Sequence, residues 1–100
     1  MTTTNTGNIA VENVNHPGST RQVNAGMYRA MKQACLKAVP QTPPGLTVAE
    51  IGERLKPHLP QALFPGGAKA GWWAKAVQLD LEAKGIVVRE NSKPIRLHKA

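Results

Sequence analysis

Prolines and glycines divide this chain into short segments, and their positions limit the length of its helices and strands. The sequence has 8 prolines and 9 glycines among its 100 residues. Proline fixes φ and lacks a backbone N–H, so it ends helices and is excluded from central strands. Apolar residues at helical spacing recur in the segments 25–39, 48–56 and 68–84. The positions of proline and glycine therefore predict helices of about two to five turns within one small domain.

The three predicted helices carry end signals in the sequence. Asn24 is placed to cap the first helix. Thr47 and Glu50 have the spacing of a capping box, in which each side chain satisfies the other residue's amide, at the start of the second helix. Gly85 suits a left-handed C-terminal cap of the third. The apolar face predicted for the first helix holds Tyr28, Met31, Cys35 and Ala38.

The two ends of the chain have different patterns. Residues 1–22 begin with a run rich in Thr and Asn that lacks apolar periodicity, which predicts a flexible tail. Residues 86–90 and 95–98 are rich in Ile and Val and flank a short turn, which predicts a hairpin. We therefore expect a folded domain over residues 23–100 that is mainly α with a small C-terminal β-hairpin.

The predicted order of elements resembles that of winged helix-turn-helix domains. The segment 45–51 is similar to the start of their second helix, and residues 77–87 are similar to their join between recognition helix and wing. The resemblance implies a winged helix-turn-helix-like fold that binds nucleic acid, expected to be duplex DNA, through the third helix and the wing. One departure is the connection of residues 57–67, which is longer than the turn of about three or four residues in a simple helix-turn-helix.

A second resemblance rests on three stretches of sequence. The pattern LFPGG, then GWW, then VQLDLEAKG is similar to a family of small bacterial proteins of unassigned function. Membership implies a cytoplasmic bacterial protein and brings no activity with it.

Positive charge is the main functional signal. The net charge is +7 with a pI near 10.1, and residues 68–100 hold seven Lys and Arg against three acids. Cations on the third helix and the wing favour contact with phosphates, whereas the alternative is a solvated basic face. The candidate nucleic-acid-binding residues are Lys69, Lys75, Gln78, Arg89, Lys93 and Arg96.

Two adjacent tryptophans leave a choice of roles open. Trp72 and Trp73 lie on a wide apolar arc, where they serve as core or as a dimer contact, or stack on bases. The alternative function is accordingly a protein-interaction module that binds a second copy or another partner through an apolar patch. Its candidate interface residues are Leu63, Phe64 and Trp72.

Several classes of function lack support in the sequence. Cys35 is the single cysteine, and His16, His58 and His98 are far apart, so neither a disulfide nor a metal site is expected. Asp80 falls in the apolar arc and is expected to pair with Lys84 or Arg96, without a partner for acid–base catalysis. We expect no enzyme, no cofactor and no membrane contact, because no apolar run is long enough to span a bilayer.

Overall fold

The computed structural model describes residues 7–67 and 69–100. Within these residues the chain forms three α-helices and five β-strands in two sheets. The helices are α1 (Ala25–Ala38), α2 (Val48–Leu55) and α3 (Ala70–Ala83). The strands are β1 (Asn8–Glu12), β2 (Thr20–Asn24), β3 (Leu46–Thr47), β4 (Val87–Glu90) and β5 (Arg96–Lys99).

The expectation of a mainly α, winged helix-turn-helix-like fold with one C-terminal hairpin is wrong, because the fold is mixed and has strands near both ends. Residues 8–24, within and just beyond the predicted tail, include a second hairpin. Each of its strands buries a single side chain, Val11 in β1 and Val23 in β2. One buried residue per strand leaves a weak alternation in sequence. Residues 1–6 of the predicted tail lie outside the described residues.

The N-terminal hairpin (residues 8–24) pairs β1 with β2 in antiparallel register. Ile9 stands opposite Val23, and Val11 stands opposite Arg21. Paired residues of an antiparallel ladder point to the same face of the sheet. Val11 and Val23 enter the main core with Tyr28 of α1, so the hairpin is part of the packed molecule.

The N-terminal caps predicted for the first and second helices are both confirmed. The Asn24 side chain accepts a hydrogen bond from the Met27 amide at 2.9 Å. Thr47 and Glu50 form the capping box, with the Thr47 amide donating to the Glu50 carboxylate at 2.9 Å. The predicted apolar face of α1 is buried, including Cys35. These local signals explain why α1 and α2 start where the sequence predicts.

The third helix spans Ala70–Ala83, slightly shorter than predicted. Its predicted start at residue 68 lies outside the described residues. At the other end Gly85 has a φ of 74° and its amide donates to the Glu82 carbonyl at 3.1 Å. The predicted left-handed C-terminal cap is thus confirmed.

The second sheet has the strand order β3–β5–β4, with β5 antiparallel to both neighbours. It closes one side of the core. Connection 56–67 packs on another side, because Leu59 and Phe64 are buried. The largest fully buried apolar side chains are Phe64, Met31, Leu55, Leu81, Leu97 and Val77.

Candidate functional site

A groove lies between the N-terminal hairpin and α3, and we call it the α3 groove. Its volume is about 370 Å³, within the range of about 300–1,000 Å³ for small-ligand sites. Its surface is mainly apolar, and its lining includes charged and hydroxyl-bearing side chains. The α3 wall consists of Gly71, Trp72, Lys75, Ala76 and Leu79.

One face of α3 supplies that wall because its residues follow helical spacing. Trp72, Ala76 and Leu79 lie at positions i, i+4 and i+7, which places them together on the helix surface. Trp72 is 47% exposed, whereas Trp73 is 6% exposed and packs edge-on against Phe64 at 6.4 Å. The choice that the sequence left open is thereby resolved differently for the two tryptophans. Trp73 belongs to the core and Trp72 faces the groove.

The N-terminal hairpin supplies the opposite wall. The Arg21 guanidinium stands 5.3 Å from the centre of the Trp72 ring, within cation–π distance. His16, Ser19 and Thr20 line the same wall. Sequence reasoning missed these residues because it assigned them to a tail. The sequence signal for this hairpin is the spacing of Ile9, Val11 and Val23, and a pattern of so few apolar residues is weak.

A buried carboxylate fixes the hairpin against both long helices. Asp80 of α3 is fully buried and accepts hydrogen bonds from the Tyr28 hydroxyl, the Lys84 ammonium and, at 2.8 Å, the Glu12 amide. The predicted pairing with Lys84 is confirmed, and the alternative partner Arg96 instead lies near Glu50. This cluster ties β1 to α1 and α3, and so sets the position of one wall of the groove.

The cluster keeps its charge pattern at neutral pH. Burial by itself raises the pKa of Asp80, but hydrogen bonds from Lys84, Tyr28 and the Glu12 amide outweigh burial and lower it overall. Burial and the Asp80 carboxylate both raise the pKa of Tyr28. Asp80 therefore remains an acceptor and Tyr28 a donor, and their hydrogen bond holds α1 against α3.

Every acidic side chain of the described residues takes part in an ion pair. Four of the 13 Lys and Arg residues, together with His98, serve as partners. Across residues 7–67 and 69–100 this leaves nine Lys and Arg side chains outside ion pairs. Among them are Arg21, Lys69 and Lys75, which lie at or beside the start of α3 and its groove. These nine side chains therefore carry the positive charge that is available to a partner.

The predicted nucleic-acid-binding residues fall into two groups. Lys69, Lys75 and Lys93 are exposed, with Lys69 at the N-cap of α3. The other three have partners within the chain. Gln78 donates to Glu82 at 2.9 Å, Arg89 donates to Glu82 at 2.7 Å, and Arg96 donates to the Gly45 carbonyl at 3.0 Å.

The predicted interface residues also differ in accessibility. Leu63 is 38% exposed and Trp72 is 47% exposed, whereas Phe64 is fully buried. Phe64 therefore acts in the core of the single chain. Cys35 is buried as well, and burial raises its pKa to about 12. A thiol in that state is a poor nucleophile.

No helix within residues 7–67 and 69–100 has both the length and the apolar character needed to cross a membrane.

The fold and the groove define a small mixed α/β protein with a cation-rimmed, ligand-sized site between a hairpin and a helix. A family model matches residues 8–97, and the chain belongs to that family, described as a family of unknown function (DUF6958). The predicted resemblance to a family of unassigned function is confirmed to that extent. No curated protein and no solved structure matches the chain.

Proposed function

We propose that the protein binds nucleic acid, mainly through phosphates, on the surface formed by the start of α3 and the N-terminal hairpin. The observation that carries the proposal is the distribution of charge. The acidic side chains of the described residues are engaged within the fold. Arg21 and Lys75 line the groove with the exposed Trp72, Lys69 lies at the N-cap of α3, and none of the three has a carboxylate partner among those residues. Phosphate chains are attracted to such a cluster because binding releases their counterions.

Recognition of base sequence is not favoured by the same geometry. Gln78 and Arg89 are residue types that read base edges, but both are hydrogen-bonded to Glu82. Using either for a base would break an existing contact. The proposed binding is therefore dominated by charge and tolerant of sequence.

The arrangement of residues 25–99 supports one further part of the proposal. α3 is followed directly by the hairpin β4–β5, and β5 lies between β3 and β4. Lys93, exposed between β4 and β5, would add a phosphate contact from this hairpin.

Fluorescence anisotropy with a labelled oligonucleotide over a salt series tests the proposal. Contacts from Arg21, Lys69, Lys75 and Lys93 predict a log–log salt slope of about −3 to −4 on duplex DNA. Replacing Arg21, Lys69 and Lys75 together by Ala should reduce the slope by about 3 and weaken binding at low salt.

A charge-matched triple variant provides the control. Arg29, Lys37 and Arg54 are exposed, take part in no ion pair among the described residues and lie outside the α3 groove. Replacing these three by Ala lowers the net charge by the same amount and should leave most of the affinity. Equal loss in both triple variants, or no binding by the folded wild type at low salt, would refute the proposal.

Binding to a protein partner is a second candidate function, favoured by the exposure of Trp72 and Leu63. A second copy of the chain is the simplest partner. Sedimentation equilibrium over a range of concentrations tests it, because a dimer through this surface should weaken in the Trp72→Ala variant. A monomer at all concentrations would exclude the homodimer.

A further inference from the structure

We propose that the α3 groove accepts one unpaired nucleotide, with its base against the Trp72–Arg21 pair, so that single strands bind more tightly than duplexes. The inference rests on the proposed function and deepens it. It names the form of nucleic acid that the site takes and the residues that would distinguish it.

The shape of the surface argues against insertion of α3 into a duplex. The major groove is about 12 Å wide and admits one helix, whose own diameter is about 10–12 Å. Here the N-terminal hairpin lies beside α3 and forms the other wall of a concave site. The hairpin adds to the width that α3 alone would bring to the major groove. A concave surface instead accepts a group that projects toward it, such as an unpaired base.

The groove contains an exposed aromatic ring of the kind on which bases stack. Trp72 is 47% exposed, which is unusual for a large aromatic side chain in a small protein. Arg21 lies over its ring at 5.3 Å. Bases stack on aromatic rings and also on guanidinium planes, so Trp72 and Arg21 each offer a group on which a base stacks.

The charged groups of the groove are placed to hold the phosphate of that nucleotide. Lys75 lies one turn after Trp72 on α3 and lines the same groove, and it takes part in no ion pair among the described residues. The acidic group in the lining is Glu12, whose carboxylate is 3.6 Å from the Lys84 ammonium. The groove therefore carries net positive charge beside an apolar, aromatic surface. A planar base linked to a phosphate matches both properties.

The hairpin wall of the groove adds hydrogen-bonding groups suited to a nucleotide. His16, Ser19 and Thr20 lie on the hairpin wall, opposite the aromatic one. Such groups are able to bond to sugar hydroxyls or base edges without requiring a particular base. Contacts of this kind fit binding that tolerates sequence, as stacking platforms do.

The test compares two labelled probes by fluorescence anisotropy at one salt concentration. One is a single strand of about ten nucleotides, and the other is the duplex of the same sequence. We expect the wild type to bind the single strand at least about tenfold more tightly, and Trp72→Ala to remove at least about tenfold of that affinity. Trp72→Phe should retain most of it, because the ring is kept.

Matched variants separate stacking from charge and from general effects. Leu63→Ala removes another exposed apolar side chain, and Lys37→Ala removes an exposed cation outside the groove. Leu63→Ala should leave both affinities nearly unchanged. Lys75→Ala should weaken single-strand binding more than Lys37→Ala does.

The outcomes distinguish this inference from the proposed function. Equal affinity for the two probes, unchanged by Trp72→Ala, would overturn the nucleotide groove and leave phosphate-dominated binding intact. Absence of binding to either probe at low salt would overturn both. A preference for single strands that disappears in Trp72→Ala and survives in Trp72→Phe would establish the groove as the stacking site.

Discussion

Gly45 lies directly before β3, where the chain passes close to the backbone of β5. Its φ is +84°, and a Cβ added there would overlap the backbone carbonyl of Leu97. Two features therefore require glycine at this position: the left-handed backbone, and the close approach of this segment to Leu97 of β5. The contact positions the start of β3 against β5.

Replacing Gly45 by Ala should lower the free energy of unfolding by about 3 kcal/mol or more, because the new methyl group must move a strand. Gly52 is a matched control, since it lies in α2 and an added Cβ meets nothing within 4 Å. Gly52→Ala should stabilise by up to about 1 kcal/mol through helix propensity. Urea unfolding of both variants measures the difference. Similar midpoints for the two would show that the approach at Gly45 is not restrictive.

At the scale of elements, Asp80 joins three parts of the fold that are distant in sequence. Replacing it by Ala leaves the Tyr28 hydroxyl and the Glu12 amide without their acceptor, which should cost about 2–4 kcal/mol. Hydrogen exchange should show the β1 amides losing protection before those of α1. Glu53 is the control, because its ion pair with Lys56 is exposed and is worth at most about 1 kcal/mol. A cost for Asp80→Ala no larger than that for Glu53→Ala would contradict this role.

The hairpin β4–β5 contains a pH-dependent contact. The hydrogen bond from His98 to the Glu90 carboxylate, at 2.7 Å, raises the pKa of the imidazole. The pair therefore stabilises the fold fully below the unfolded pKa of about 6.5, and its contribution is lost as pH rises through the folded-state value.

Urea midpoints measured between about pH 5 and pH 9, on either side of the histidine pKa, should show a larger gap between wild type and Glu90→Gln at the acidic end. His58→Gln is the comparison, because His58 is exposed and outside β4–β5. Wild-type and Glu90→Gln curves that run parallel across the range would rule out the linkage.

At the scale of the whole molecule, the N-terminal hairpin shares the core of the rest of the chain. Val11 is 6% exposed and packs in the main cluster, whereas Val14 is 37% exposed. Val11→Ala should cost about 1–3 kcal/mol, and Val14→Ala should stay within about 0.5 kcal/mol of wild type. Thermal unfolding followed by circular dichroism measures both. An unaffected Val11→Ala variant would mean that the hairpin is not integrated.

The sequence predicts the helices well because their signals are local. Asn24 and Gly85 mark helix ends through their own conformational preferences, and the Thr47–Glu50 box needs only residues of one turn. The N-terminal hairpin lacks such signals. Its position depends on Asp80, which lies 68 residues from its hydrogen-bond partner Glu12. A contact of that separation cannot be inferred from a short-range pattern.

The separation of contacting residues along the sequence also explains how much of the candidate site could be predicted. Trp72 and Lys75 are neighbours on one helix, so the sequence could place them together. Arg21 and His16 join them only through the packing of the N-terminal hairpin. The acids that engage Arg89 and Arg96 likewise come from other elements, Glu82 from α3 and Glu50 from α2.

The two neighbouring tryptophans give the molecule intrinsic fluorescence and circular-dichroism signals. Their rings are perpendicular at 5.2 Å, with Trp73 in the core and Trp72 at the surface. An aqueous quencher such as acrylamide should contact Trp72 directly, whereas burial shields Trp73 from such contact. Coupling between indoles at this distance should also contribute a circular-dichroism couplet that disappears when either ring is removed. A ligand that contacts Trp72 in the groove should therefore change the signal of the coupled pair, without an attached dye.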